Sequence, residues 1–417
     1  MSMVFSNKIL LLIPNLGLGG AQRVFHDHSV ELAKHYAITE AVFNLEGGDL
    51  YPSGNPVVSL DVSGGGGPLD KLQNFQRRVS GLRQLRERLR PAIVISHLEG
   101  ADYVNLLSGG PGKTILCVHG SKLHDANIRG PVGWLRKKVL IPMLYRRAAR
   151  IVTVSTGIRE ELVRGMGLPA HKIQVINNFF DVELIRQQAD ALVPAPFAEL
   201  ANQGPVLVTS GRLSREKNLL ALLDVFQQVR RQLPTCRLLI IGQGEEYLAM
   251  LARCQALGLA VYTSEQAPAE ASQAAVLFAG FQANPHAFIA KATLFVLPSL
   301  NEGFPMALGE AMVCGLPVVA ADCPTGPREI LSPATPEPAQ PLRHAETAPY
   351  GVLLPVISNI ATYAADVTTW SQTLTTLLLN PIEQDRLREQ ARHRMNDFSR
   401  QHIAGQWLRL VEEVRQS

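Results

Sequence analysis

The chain lacks several features that would each indicate a familiar class of protein. It has no run of about 18 uninterrupted apolar residues, so the sequence predicts no membrane-spanning helix. It has no D-x-D sequence and no His/Cys set with zinc spacing, so we expect neither a metal nor another cofactor. Its five cysteines include no C-x-x-C pair, and three lie in or beside apolar runs. This pattern predicts reduced, buried thiols in a cytoplasmic protein.

What is present is the composition of a well-packed globular protein. Hydrophobic residues make up 46% of the 417 residues, and charged residues make up 18%. A chain of this length exceeds one ordinary hydrophobic core, so two domains of about 200 residues each are expected.

Short apolar runs recur along the chain, each followed by a helical pattern. Such alternation predicts parallel sheets with crossover helices, the α/β class. The series restarts after an Ala- and Pro-rich segment at 191–204, which is typical of a linker. We therefore predict two doubly wound, Rossmann-like domains facing across a cleft, at 1–190 and 205–395, with a closing helix at 396–417. The predicted strands lie at 9–13, 92–96, 115–118, 151–154, 206–209, 238–241, 294–297 and 318–321.

Positive charge is concentrated in the first domain. The net charge is +4, but residues 71–150 carry sixteen Lys or Arg against four Asp or Glu. Two stretches, 76–90 and 134–150, mix basic with apolar residues. They are either solvated helix faces or a surface attracted to anionic lipids. Nucleic acid would also suit this charge. However, no nucleic-acid motif occurs and few aromatic residues suited to stacking are evident, so we predict no such partner.

Two carboxylates stand close to the end of the apolar run at 294–300. Glu302 lies in the loop that follows this run, and Glu310 lies about two turns into the next predicted helix. Nucleotides bind at the carboxyl end of such a sheet. The loop at 303–306 offers backbone N–H groups at a helix N-terminus, which favours an anion. This combination suits a sugar nucleotide, whose hydroxyls need acceptors and whose diphosphate needs donors. A hydrolase-like pair of carboxylates is the alternative interpretation.

Other groups that could bind a diphosphate follow the first strand of each domain. Arg212 and Lys217 stand five residues apart across a strand-to-helix turn, so both can reach one diphosphate. A solvated charge cluster is the alternative, although basic residues are unfavourable at a helix N-terminus. In the first domain, Gly19 and Gly20 either leave N–H groups accessible to a phosphate or form a plain tight turn.

Together these stretches resemble the retaining GT-B glycosyltransferases of family 4 (group 1). The resemblance covers the second domain nearly end to end, through GRLSREKN, IIGQGEE, NEGFPMALGE and the closing FSRQHIAGQWLRL. In the first domain it is carried by LGLGGAQRV, VHG and VINNFFD. It implies the GT-B fold, with the C-terminal helix returning to the N-terminal domain. It also implies transfer of a hexose or N-acetylhexosamine from a UDP-type nucleotide donor to a polyprenyl-diphosphate-linked glycan.

The resemblance further implies roles for residues of the second domain. Arg212 and Lys217 match the pair that binds the donor diphosphate, and Glu310 matches the carboxylate that holds the ribose hydroxyls. Glu302 matches the carboxylate that reads the hydroxyls of the donor sugar. It would act together with the amides of the loop residues Gly303, Phe304, Pro305 and Met306.

In the first domain the resemblance reaches four positions. Gly19 and Gly20 match the glycine turn that faces the phosphates and the acceptor, and Gln22 stands where many relatives carry Glu. His119, after the strand at 115–118, resembles the histidine poised near the transferred sugar. A hydrogen-bonded cap of the strand end is the alternative for His119, and it is the favoured interpretation for His97.

We therefore predict a retaining, metal-independent glycosyltransferase of polysaccharide or lipid-linked oligosaccharide biosynthesis, with His119 and Glu302 as its catalytic groups. It would bind peripherally to the inner face of the cell membrane. Two other classes stay open. One is a GT-B-like isomerase or hydrolase that acts on the nucleotide sugar alone, and the other is a non-catalytic protein that binds sugar nucleotides.

Overall fold

The computed structural model describes residues 7–17, 19–45, 53–123, 130–263, 266, 268–335 and 340–417. The chain divides into two compact units, and each is built around one sheet. The first unit comprises Met1–Asn178 and Gln401–Ser417, and the second comprises Phe179–Arg400.

The first unit contains a seven-stranded sheet in the order β3-β2-β1-β4-β5-β6-β7, in which every pair of neighbours is parallel. The central strand β1 is buried along Ile9, Leu10, Leu11, Leu12 and Ile13, as expected for a strand covered by helices on both faces. The strands are β1 Lys8–Ile13, β2 Ala37–Val42, β3 Val57–Ser59, β4 Ile93–His97, β5 Lys113–Val118, β6 Arg150–Thr153 and β7 Ile173–Val175.

Helices connect these strands as crossovers. They are α1 Gly20–Leu32, α2 Pro68–Leu89, α3 Glu99–Ser108, α4 Gly130–Leu135, α5 Ile141–Tyr145 and α6 Thr156–Glu160. A turn of π-helix, Arg136–Leu140, joins α4 to α5, so the three form one continuous helical segment.

The second unit contains an eight-stranded sheet in the order β10-β11-β9-β8-β12-β13-β15-β14. Only the edge pair β14 and β15 is antiparallel among its described strand pairs. The strands are β8 Val206–Ser210, β9 Arg237–Ile241, β10 Val261–Thr263, β11 Val276–Gly280, β12 Leu294–Leu297, β13 Val318–Ala321, β14 Glu346–Ala348 and β15 Gly351–Leu354.

The helices of the second unit cover its sheet, and the last helix of the chain returns to the first unit. Those of the second unit are α7 Val182–Ala189, α8 Leu219–Gln232, α9 Tyr247–Ala256, α10 Pro285–Ile289, α11 Met306–Val313, α12 Pro327–Leu331, α13 Tyr363–Leu378 and α14 Pro381–Arg394. The returning helix is α15 Arg400–Gln416.

The predicted fold class, two doubly wound α/β domains, is confirmed. The return of the C-terminal helix is confirmed as well, because Trp407 of α15 packs on His28 of α1 with ring centroids 4.6 Å apart. The Tyr36 hydroxyl also donates to the Glu412 carboxylate, over 2.6 Å. All five cysteines are free thiols, and four of them are buried as predicted, whereas Cys314 is partly exposed.

The structure departs from the sequence-based expectation in its boundaries and in several short strands. The first unit ends at Asn178, earlier than the predicted boundary at 190, because α7 packs against α10 and α11 of the second unit. Strand β2 escaped prediction because Glu40 interrupts its apolar pattern. Glu40 is nevertheless buried, and it accepts hydrogen bonds from the hydroxyls of Ser29 and Ser53.

Candidate functional site

The loops that leave β8 and β12 emerge side by side at the carboxyl end of the second sheet. These strands are neighbours, and the chain order reverses there, with β9 on the other side of β8. Ligands of open α/β sheets bind at such a switch point. The depression at this place is lined by Thr209, Ser210, Gly211, Arg212, Leu213, Lys217, Leu219, Ile241, Leu297, Pro298 and Ser299.

An ion pair joins the two loops. The Lys217 ammonium group donates to Glu302 Oε1 over 2.7 Å, and the Ser299 hydroxyl donates to the same oxygen over 2.7 Å. The Glu302 side chain is only 9% exposed, whereas that of Lys217 is 27% exposed. Thr325 of the loop after β13 donates its hydroxyl proton to the main-chain carbonyl of Glu302. The loops that follow β8, β12 and β13 therefore meet at Glu302.

Arg212 lines the same depression as Lys217 but is held much more loosely. Its side chain is 70% exposed, and its Nε lies 3.3 Å from a carboxylate oxygen of Glu245, which is also exposed. An exposed ion pair of this kind contributes little stability. The guanidinium group therefore remains able to turn toward an anion in the depression.

The glycine-rich loop after β9 supports the backbone beneath Arg212. A Cβ at Gly242 would collide with the carbonyl oxygen of Gly211, and a Cβ at Gly244 would collide with that of Leu213. The amide of Leu213 donates to the carbonyl of Gln243 over 2.8 Å. The stretch IIGQGEE carries these glycines, and its resemblance to the family gave no indication of this packing role.

The loop before α11 offers fewer groups than the sequence suggested. Proline has no N–H, so Pro305 donates nothing, and the available amides belong to Gly303, Phe304 and Met306. The Phe304 side chain is 5% exposed and packs on Phe398, with ring centroids 5.2 Å apart. Phe304 could therefore contact a ligand mainly through its backbone.

Glu310 lies on α11, away from the Lys217 contact. One of its carboxylate oxygens lies 3.6 Å from Nε2 of the buried His286. The other ring nitrogen of His286 lies 2.8 Å from Oε1 of Gln188, which lies on α7. Glu310 is 14% exposed, so α7 and α10 support a carboxylate that stays accessible. The structure thus places Glu302 and Glu310 in separate surroundings.

In the first unit, the glycine turn precedes α1. A Cβ at Gly20 would meet no atom within 4 Å, so the backbone there faces open space. The turn is held by Asn15, whose side-chain oxygen accepts from the Gly17 amide over 3.2 Å and from the Gln22 side chain over 3.1 Å. Helix α1 begins after Gly19 without a side-chain cap. Leu18 lies outside the described residues.

His119 follows β5 and contacts His97, which ends β4. Nε2 of His119 lies 2.8 Å from Nδ1 of His97. Burial and the ammonium group of Lys122 lower the pKa of His119 to about 3, and burial lowers the pKa of His97 well below its usual range. Both rings are therefore neutral at ordinary pH. Sequence reasoning treated His97 as a simple cap, and it missed this pairing because 22 residues separate the two histidines.

His97 also belongs to a group of three potential metal ligands. His28, His97 and Cys117 are buried, and each offers a ligand atom within 4.8 Å of the others. Burial raises the pKa of the Cys117 thiol well above its usual value, so this thiol stays protonated. Sequence spacing gave no sign of the group, because its members come from α1, β4 and β5.

A cluster of charges near the carboxyl ends of β4 and β5 was also missed. Glu99 pairs with the Lys122 ammonium group at 3.2 Å and with the Arg136 guanidinium group, and it accepts from the Tyr103 hydroxyl. Burial alone would raise the pKa of Glu99, but Lys122, Tyr103 and Arg136 together lower it. The signal available in the sequence was an acidic residue two positions after a strand end.

The two basic stretches differ in what they present to solvent. In 76–90, Arg86 is 2% exposed and donates to the carbonyls of Pro111 and Gly112, so this cation is part of the core. In 134–150, large apolar side chains are exposed beside the exposed Lys138, Arg146 and Arg147. These side chains are Trp134, Leu135, Val139 and Met143. Within the described residues, the structure contains no helix both long and apolar enough to cross a membrane.

The depression lies at a switch point, where open α/β sheets bind their ligands, and comparison with known proteins specifies the family. The profile of the Glycosyltransferase Family 4 domain matches residues 18–184, and that of the Glycosyl transferases group 1 domain matches residues 204–341. The chain belongs to this family and is a glycosyltransferase.

Individual relatives are similar over different shares of the chain. An uncharacterised glycosyltransferase of Methanocaldococcus jannaschii is 25% identical over 81% of this chain and 83% of its own. The N-acetylgalactosamine-N,N'-diacetylbacillosaminyl-diphospho-undecaprenol 4-alpha-N-acetylgalactosaminyltransferase of Campylobacter jejuni is 30% identical over 47% of each chain. The crystal structure of Anabaena HepE in complex with UDP and glucose superimposes with a TM-score of 0.73 at 18% identity. It covers 97% of this chain and 99% of its own, and it confirms the GT-B fold.

The buried histidines make stability depend on pH. Burial, with a smaller contribution from His119, lowers the pKa of His28 to about 3. The unfolded chain takes up this proton near pH 6.5, so it binds more protons than the folded chain between about pH 6.5 and 3. The unfolding free energy of the wild type therefore falls as the pH is lowered through this window. Replacing His28→Phe should reduce that fall by about 2 kcal/mol between pH 7.5 and 5.

Urea denaturation at each pH measures this effect. The same change at the exposed His171 serves as the control and should leave the pH dependence at its wild-type value. An equally steep fall in His28→Phe and the wild type would show that His28 is not held neutral by the fold.

Proposed function

We propose that this glycosyltransferase moves a hexose or N-acetylhexosamine from a UDP-linked donor to a polyprenyl-diphosphate-linked glycan, with retention of anomeric configuration. The observation that carries the proposal is the contact of Lys217 with Glu302 at the carboxyl ends of β8 and β12. An ammonium group suits a phosphate, and a carboxylate suits a sugar hydroxyl. Both lie side by side, as the phosphate and the sugar do in a nucleotide sugar.

The diphosphate is assigned to donors in the loops at the carboxyl end of the second unit's sheet. Arg212 and Lys217 line one depression and can both reach an anion there. The uncapped amides before α11 suit the phosphate oxygens. We propose that these cations and amides stabilise the departing diphosphate in place of a metal ion.

The carboxylates and the histidine are assigned to hydroxyl groups. Glu302 is proposed to accept from the hydroxyls of the donor sugar, and Glu310 from those of the ribose. Their separate surroundings support two separate tasks. His119 is neutral, so it is proposed to form an uncharged hydrogen bond to the transferred sugar.

The proposed reaction is a displacement on one face of the sugar. The bond from the anomeric carbon to the diphosphate oxygen breaks, and UDP leaves as an anion. The acceptor hydroxyl oxygen then bonds to the anomeric carbon from the same face and passes its proton to the departing phosphate oxygen. No side chain needs to form a covalent bond with the sugar, and trapping of a glycosyl-enzyme would contradict this route.

The acceptor is proposed from a relative and from the surface of the first unit. The name of the Campylobacter relative describes transfer to a diphospho-undecaprenol-linked sugar. Such an acceptor would lie at a membrane, and the 134–150 segment exposes apolar side chains beside cations. We propose that this segment binds the anionic surface of the cytoplasmic face of the cell membrane. The 76–90 stretch would contribute less, because Arg86 is buried and no large apolar side chain of this stretch is exposed.

The diphosphate assignment predicts the effect of removing either cation. Arg212→Ala or Lys217→Ala should each lower kcat by about a hundredfold, because one donor to the developing charge is lost. Arg215 lies in the same turn and is exposed, so Arg215→Ala is the matched control and should keep near-normal turnover.

Steady-state release of UDP, with and without an acceptor, is the measurement. Near-normal turnover in both variants would contradict the assignment. Rapid release of free sugar, or formation of a rearranged nucleotide sugar, in the absence of an acceptor would instead support the hydrolase or isomerase interpretation.

The membrane assignment predicts weaker vesicle binding when the exposed apolar side chains are removed. The double change Trp134→Ser and Met143→Ser should weaken binding to phosphatidylglycerol vesicles roughly tenfold, since buried apolar area drives interfacial binding. Leu192→Ser is the control, because Leu192 is 99% exposed and lies in the second unit. Cosedimentation measures the binding. Equal vesicle binding by the double variant and the wild type would show that this segment does not bind the membrane.

A further inference from the structure

We propose that His97 is a positioning residue that holds His119 in a single tautomer, with the hydrogen on Nδ1. His119 then presents an N–H donor, and not a lone pair, on the ring nitrogen that does not face His97. This inference rests on the role proposed above for His119 at the transferred sugar. It adds the direction of the hydrogen bond that His119 makes there.

The geometry of the pair is that of one N–H···N hydrogen bond. Nδ1 of His97 lies 2.8 Å from Nε2 of His119, within the normal range for such a bond. The ring centroids are 5.0 Å apart and the ring planes are inclined by 26°. At this spacing the rings meet edge to edge, and a single hydrogen lies between the facing nitrogens.

Every imidazole ring carries at least one hydrogen, and only one hydrogen fits between facing nitrogens 2.8 Å apart. A neutral imidazole has one donor nitrogen and one acceptor nitrogen, and its partner determines which is which. The arrangement therefore has two possible forms, and the surroundings of His97 decide between them.

The surroundings of Nε2, the other ring nitrogen of His97, distinguish the two forms. Nε2 is buried and has no hydrogen-bond partner among the described residues. A hydrogen on that atom would be an orphaned buried N–H, which folded proteins rarely contain. The hydrogen of His97 is therefore on Nδ1, where it is donated to His119.

The tautomer of His119 follows from this donation. Its Nε2 accepts the hydrogen bond from His97, so its own hydrogen is on Nδ1. His97 itself is held firmly, because it is 0% exposed and the Phe25 ring meets it edge-on at 5.2 Å between centroids. His119 is half-buried and reaches solvent. A rigid partner thus orients a more accessible ring, as a carboxylate orients a histidine in other active sites.

Long-range ¹H–¹⁵N correlation spectra of protein with ¹⁵N-labelled histidine test the tautomer directly. In the wild type, Nδ1 of His119 should have the shift of a protonated nitrogen, and Nε2 that of an unprotonated one. In His97→Leu, which removes the donor at similar volume, His119 should become a mixture of both tautomers. In His97→Asn the side-chain amide can still donate, so it should keep most of the wild-type preference.

Kinetics on the same variants test the consequence. His97→Leu should lower kcat about tenfold with little change in the donor KM, and His97→Asn should recover most of the rate. A wild-type spectrum with the hydrogen on Nε2 would overturn the proposal, and it decides the matter even if a variant fails to fold. Unchanged kcat and tautomer in a folded His97→Leu would also overturn it. Full activity of His119→Ala would instead refute the role proposed for His119.

Discussion

The contact between Lys217 and Glu302 is the interaction on which the loops at the carboxyl end of the second unit's sheet depend. A carboxylate that is 9% exposed requires a close partner, since an unpaired charge at such a depth is costly. Lys217 and Ser299 supply that partner, and Thr325 fixes the backbone of Glu302. The loops after three parallel strands are therefore tied together before any ligand binds. Preorganised groups of this kind stabilise charge without having to reorient during a reaction.

The first unit combines a partly buried group of ion pairs with buried histidines that stay neutral. Its basic excess is partly neutralised inside the fold, since Lys122 and Arg136 pair with Glu99 and Arg86 is buried among carbonyl groups. The histidines beside these groups remain uncharged because of burial. A neutral His119 suits the proposed hydrogen bond to a sugar hydroxyl.

The sequence predicted the fold class and the strands that are apolar on both faces, because periodicity reports burial directly. It did not predict β2, where the buried Glu40 breaks the pattern, or the start of the second unit, which depends on the packing of α7. Arg212, Lys217 and Glu302 could be found because they follow strands and match a family motif. The pairing of His97 with His119 could not, because it joins the ends of neighbouring strands far apart in the chain. The site residues themselves remain predictions.

Thermal denaturation with a panel of nucleotides tests whether the second unit binds a sugar nucleotide at the carboxyl ends of β8 and β12. The panel contains UDP, GDP, ADP and their common sugar conjugates, without added metal. One UDP-sugar should raise the unfolding midpoint more than UDP does, because Glu302 would add contacts to the sugar. An unchanged midpoint with every nucleotide and conjugate would show that the second unit does not bind a sugar nucleotide at this place.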